Sequence, residues 1–138
     1  MTDRTILTIE RVFLAVIGTI FMASGIFTFF EPHTMGEALG IMPMNASGET
    51  EIRATYGGLV VGSGLLALAG LSSRLMAVAA LAGTFFGAGG LMSTRIIIQA
   101  MEGFTINQGI VAVFELSMVV VAFLLLKAAM RRASVNTT

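Results

Sequence analysis

The chain has 138 residues, about one domain's worth, of which 56% are hydrophobic and 12% charged. A soluble domain of this size needs far more polar surface, so lipid is expected to be its main solvent. Eight cations balance eight carboxylates with no Lys/Arg run of the kind that binds nucleic acid, and the absence of cysteine excludes disulfides and thiolate chemistry.

A helix rising about 1.5 Å per residue needs roughly 20 apolar residues to cross a hydrocarbon core about 30 Å thick. Four runs meet that length, and they predict spans over about 8–30, 52–72, 75–99 and 105–127. The expected class is therefore an all-α integral membrane four-helix bundle, one domain over 1–138. The first run follows Arg4 and Arg11 and holds the small residues Met22-Ala23-Ser24-Gly25, as a secretory signal would. Its apolar stretch continues through Phe30, beyond the 7 to 15 or so residues of a cleaved segment, so it reads as an uncleaved helix. Trp is absent, which leaves Phe27, Phe29, Phe30, Tyr56 and Phe104 to form the aromatic belt at the interface.

The long connection 31–50 carries Pro32, Gly36, Gly40, Pro43 and Gly48, so it breaks helix repeatedly. Met35, Leu39 and Met42 fall at helical spacing within it and predict a short amphipathic turn on the membrane surface. A tight turn, Leu71-Ser72-Ser73-Arg74, joins the second and third spans, and Thr105 with Gln108 offers a capping box for the fourth. The tail 133–138 reads as frayed.

Arg4, Arg11, Arg74, Lys127, Arg131 and Arg132 share one side of a four-span chain, whereas Glu31, Glu37, Glu49, Glu51 and Glu102 gather on the other. Cations accumulate on the cytoplasmic side, so both termini are expected in the cytoplasm and the chain is expected to cross the membrane in multiple passes. Two stripes of small residues recur every four positions: Ala54, Gly58 and Gly62 on the second span, and Ala79, Gly83 and Gly87 on the third. Such stripes let backbones approach in lipid. Here they either pack on each other across the short turn or seat a homo-oligomer.

Glu115 stands near the middle of the fourth run, where insertion of an acid costs about 2.5 to 3.5 kcal/mol, so it should face the bundle and be paired or protonated. Gln108 lies two turns earlier on the same face. Arg95 sits about 10 Å inside the span's end at Glu102 and is long enough to reach either Glu115 or Glu102. Arg53 opens the second span with Tyr56 and Gly57 on its own face, and Glu49, four residues before, is its natural partner. Arg53, Tyr56, Gly57, Arg95, Gln99, Gln108 and Glu115 thus all fall in the outer half of the membrane and form the candidate ligand-binding set. The competing explanation is an Arg95/Glu115 pair that only fixes helix register. His33, Met35, Met42 and Met44 are a soft donor set of the kind that holds Cu(I), although the amphipathic turn accounts for two of the methionines. No catalytic template, metal-ligand spacing or phosphate-cradling loop occurs, so neither a metal nor a cofactor is expected.

The stretch Glu51-Ile52-Arg53-Ala54-Thr55-Tyr56-Gly57-Gly58-Leu59, followed by Gly62 and Gly64, resembles the bacterial four-helix inner-membrane family described as domain of unknown function 4345. The Phe30-Glu31-Pro32 exit from the first helix is similar too. In layout alone the chain also resembles DoxX-type membrane proteins. The resemblance implies a four-helix fold over nearly the whole chain and places Arg53, Tyr56 and Gly57 in the family's pattern; it implies no activity.

The function expected from these residues is binding or moving a small amphiphile, a lipid, quinone or isoprenoid, by a non-enzymatic protein. The alternatives are a structural or accessory membrane subunit, and a proton-coupled exporter or intramembrane isomerase using Glu115 as its proton-transfer group.

Overall fold

The computed structural model of the chain describes residues 3–103 and 106–135, and every element within them is helical. Helix α1 is Asp3–Phe30, α2 is Pro32–Leu39, α3 is Ala46–Ala69, α4 is Arg74–Glu102 and α5 is Ile106–Val135. The expected all-α class holds, and α1, α3, α4 and α5 are each long and apolar enough to cross a membrane. Only 22–28% of the most apolar window of each is buried, so the greater part of four apolar surfaces faces outward. Val12, Leu65, Phe86 and Val113 are all more than half exposed. Water would oppose that exposure at about 25 cal/mol per Å², and hydrocarbon would not. This is a membrane protein.

Local chemistry sets the helix ends. Pro32 occupies the first turn of α2, where a missing N–H costs nothing. Gly40, at φ 72°, ends the helix; its N–H donates to the Glu37 carbonyl at 3.1 Å and the Ile41 N–H donates to Gly36 at 2.8 Å. This paired closure requires a left-handed residue. It also shortens the expected amphipathic turn, because Met42 lies beyond Gly40 and is 57% exposed. The Asn45 side chain accepts from the Gly48 N–H at 3.0 Å and so starts α3 at Ala46, six residues before the expected span. The turn before α4 is as tight as expected, with Leu71 and Ser72 donating to Leu68 and Ala69.

The helices overrun the apolar runs elsewhere as well. Helix α1 begins at Asp3, α4 continues to Glu102 and α5 continues to Val135, because hydropathy marks the hydrocarbon thickness and charged turns extend the same helices beyond it. The expected frayed tail is therefore helical as far as Val135. Phe104, Thr105 and residues 136–138, and with them the expected capping box, lie outside the described residues.

By its contacts the chain divides into two compact units, Arg11–Ala77 and Met1–Glu10 with Val78–Thr138. In the first, α1 and α3 run antiparallel in close approach. A Cβ on Gly25 would stand 2.8 Å from the Gly57 carbonyl oxygen and the Val61 nitrogen, and one on Gly64 would stand 2.8 Å from the Met22 nitrogen and 2.9 Å from the Gly18 carbonyl oxygen. Gly18 and Gly25 are seven residues apart, as are Gly57 and Gly64. A seven-residue repeat on both partners keeps one seam facing the other along a shallow crossing.

The expected stripe is thus not the one that packs here. Ala54, Gly58 and Gly62 are exposed, and a Cβ on Gly62 would meet nothing within 4 Å. In the second unit α4 and α5 are antiparallel, with the Phe85 and Phe123 rings 5.5 Å apart and Gly89 facing Val119. The buried line on α5 is Glu115, Met118, Ala122, Leu125 and Ala129, alternating steps of three and four. The α4 stripe of Ala79, Gly83 and Gly87 is likewise exposed, with open space at both glycines.

Candidate functional site

The antiparallel register of α4 and α5 places Arg95 opposite Glu115. The Arg95 Nε donates to both carboxylate oxygens of Glu115 at 3.0 Å, and its Nη1 donates to the Gln108 side-chain oxygen. The Glu115 side chain is 6% exposed and that of Arg95 27%. Burial of a carboxylate within a spanning helix is costly alone and tolerable with a guanidinium in hydrogen-bond contact. Arg95 therefore pairs with Glu115, and Glu102 stays exposed at the end of α4. Gln108 joins because it stands two turns before Glu115 on the same face. Gln99, one turn beyond Arg95, is half-buried.

Arg95 is not saturated by these bonds. A guanidinium carries five N–H groups, and Arg95 commits Nε–H and one Nη1–H, leaving three without a partner among the described residues. Seven residues separate Arg95 from the end of α4, about 10 Å along the helix, so these donors lie within the span.

The other unit holds a separate polar group at the start of α3. Arg53 Nη2 donates to Glu49 Oε1 at 2.6 Å, the expected partner one turn earlier, while the second Glu49 oxygen lies 3.8 Å from His33 Nε2. Arg53 Nε is buried without a partner. From Arg53 to Gly58 the helix is π-wound, with the Leu59 N–H donating to Ala54 five residues back. Within this turn Gly57 is buried against α1, whereas Tyr56 is 41% exposed. Such π segments occur mostly as single turns inside α-helices and frequently at functional sites.

The residues of the soft donor set differ in their surroundings. Met44 is 95% exposed, Met42 is 57% exposed, and His33 faces Glu49. Among the described residues no three His, Cys, Asp or Glu side chains are grouped to hold a metal ion.

One ion pair has no counterpart in the sequence reading. Glu10 is 7% exposed and accepts from Arg132 Nη2 at 2.6 Å, tying the start of α1 to the end of α5. Arg132 Nε also donates to the Ala128 carbonyl at 3.2 Å. The signal was a carboxylate beside Arg11 at the edge of the first apolar run, four residues before the buried Leu14.

No curated protein and no solved structure matches the chain. The family model described as domain of unknown function (DUF4345) matches residues 9–126, which takes in the Arg53 motif, Arg95, Gln108 and Glu115. With that match covering most of its length, the chain belongs to the DUF4345 family of unknown function.

Proposed function

We propose that this protein holds the polar end of a small amphiphile, a lipid, quinone or isoprenoid, against Arg95, with Glu115 and Gln108 orienting the guanidinium and Gln99 as a further contact. The observation that carries the reading is the three uncommitted N–H groups of Arg95 about 10 Å inside a spanning helix. Hydrocarbon offers them no acceptor, whereas a carbonyl, hydroxyl or phosphate oxygen on an apolar molecule does. A pair that served helix register alone would need no such open side. The cation distribution favours both termini in the cytoplasm, and the family resemblance suggests a bacterial inner membrane.

The test is thermal unfolding of the purified protein with decylubiquinone, farnesol and oleic acid. A ligand at about 100 times its Kd adds roughly 2.7 kcal/mol to stability. At least one of the three should raise the unfolding midpoint of the wild type and fail to raise that of Arg95→Met. No shift with any of them, or an equal shift in the variant, contradicts the proposal.

A second reading, an accessory subunit or homo-oligomer, draws on the exposure of both small-residue stripes, Ala54, Gly58, Gly62 and Ala79, Gly83, Gly87. Open glycines in a spanning helix are seats for another helix. Crosslinking in native membranes through cysteines placed at 62 or 87 should trap a dimer or a partner; a strictly monomeric product argues against it.

A further inference from the structure

We infer that the terminal end of the Met1–Glu10 and Val78–Thr138 unit carries a binding cleft for the phosphodiester of an anionic phospholipid, a site distinct from the one at Arg95. A cleft of about 360 Å³ is lined by Asp3 and Ile6 of α1 and by Leu124, Lys127, Ala128, Arg131 and Arg132 of α5. Its volume falls in the range of small-molecule sites, and its wall combines cations with apolar side chains.

Charge decides the occupant. Lys127, Arg131 and Arg132 face the cleft against one carboxylate in its lining, Asp3, and Arg132 is further neutralised by Glu10. Three cations against one carboxylate in the lining suit a phosphodiester anion. Arg132 also has an acceptor deficit: Nε and Nη2 are bonded, while Nη1 is buried without a partner among the described residues. Buried donors are ordinarily satisfied, and a phosphate oxygen in the cleft would offer an acceptor to a side chain that lines it. Leu124 stands two turns before Arg132, about 12 Å further into the span, where an acyl chain would lie. Basic pockets on spanning helices near the membrane surface are the usual seats of anionic lipid head groups.

The test is native mass spectrometry of the protein released from nanodiscs containing equal phosphatidylglycerol and phosphatidylcholine. Each surface cation contributes about fivefold in affinity for anionic lipid. Wild type should retain phosphatidylglycerol several-fold over phosphatidylcholine, and Lys127→Gln and Arg131→Gln should each reduce that preference about fivefold. Both variants leave Glu10, Arg132 and the Arg95 cluster unchanged, so their loss of lipid is separable from any failure at Arg95. Equal retention of the two lipids by wild type overturns the inference, as does an unchanged preference in both variants. Displacement of the bound lipid by millimolar inorganic phosphate would assign the cleft to free phosphate and overturn it too.

Discussion

Arg95 and Glu115, twenty residues apart in the chain, meet through one guanidinium nitrogen 3.0 Å from both carboxylate oxygens. The pair neutralises a carboxylate that is costly to bury alone in a spanning helix. Breaking it is therefore worse than replacing it. Glu115→Leu should lower stability by about 3 kcal/mol, because it leaves a half-buried guanidinium uncompensated within the span, and Arg95→Met combined with Glu115→Leu should recover most of that loss. Unfolding of the single and double variants in detergent measures the coupling; a double variant as unstable as the sum of both singles contradicts it.

The α1/α3 seam makes a sharper steric prediction. Gly25→Ala and Gly64→Ala each press a methyl group against backbone atoms 2.8 Å away, which cannot yield as a side-chain tip would. Each should cost about 1–3 kcal/mol. Gly62→Ala and Gly83→Ala enter open space and should leave the unfolding midpoint within experimental error. Equal effects at the four positions would refute the seam.

Asn45 starts α3 by accepting from the Gly48 N–H. Asn45→Ala should destabilise the protein by about 1 kcal/mol, and Asn45→Ser should restore most of it. Chemical denaturation of the two variants side by side provides the comparison.

The π turn over Arg53–Gly58 accommodates one residue more than an α-helix would. Deleting the exposed Thr55 should return the segment to α geometry while the Gly57 and Gly64 contacts stay in register. The shortened protein should keep its helical circular dichroism and an unfolding midpoint equal to or above that of the wild type. A collapse of stability would mean that the π turn supports the fold.

Spans, the tight turn before α4 and the inward face of Glu115 were legible because each follows from hydropathy or from the cost of a bare charge in hydrocarbon. The Glu49 to Arg53 contact followed from helical spacing alone. Four features were not legible. The choice of Glu115 over Glu102 for Arg95 depends on the α4/α5 register, which two hydropathy profiles do not fix. The α1/α3 seam uses a seven-residue glycine repeat, which is less conspicuous in the sequence than the four-residue stripes. The π turn over Arg53–Gly58 breaks the 3.6-residue periodicity by which faces are assigned, and no local pattern announces it. Glu10 and Arg132 are separated by nearly the whole chain, and no local pattern joins them.

The most direct measurement on the central claim is native mass spectrometry of the gently purified protein, with chemical identification of whatever remains bound. The account predicts a stoichiometric amphiphile that persists in Lys127→Gln and is lost in Arg95→Met while that variant remains folded. A bare wild-type chain, or an amphiphile retained equally by folded Arg95→Met, would contradict it and leave the Arg95 and Glu115 pair as a device for holding two helices in register.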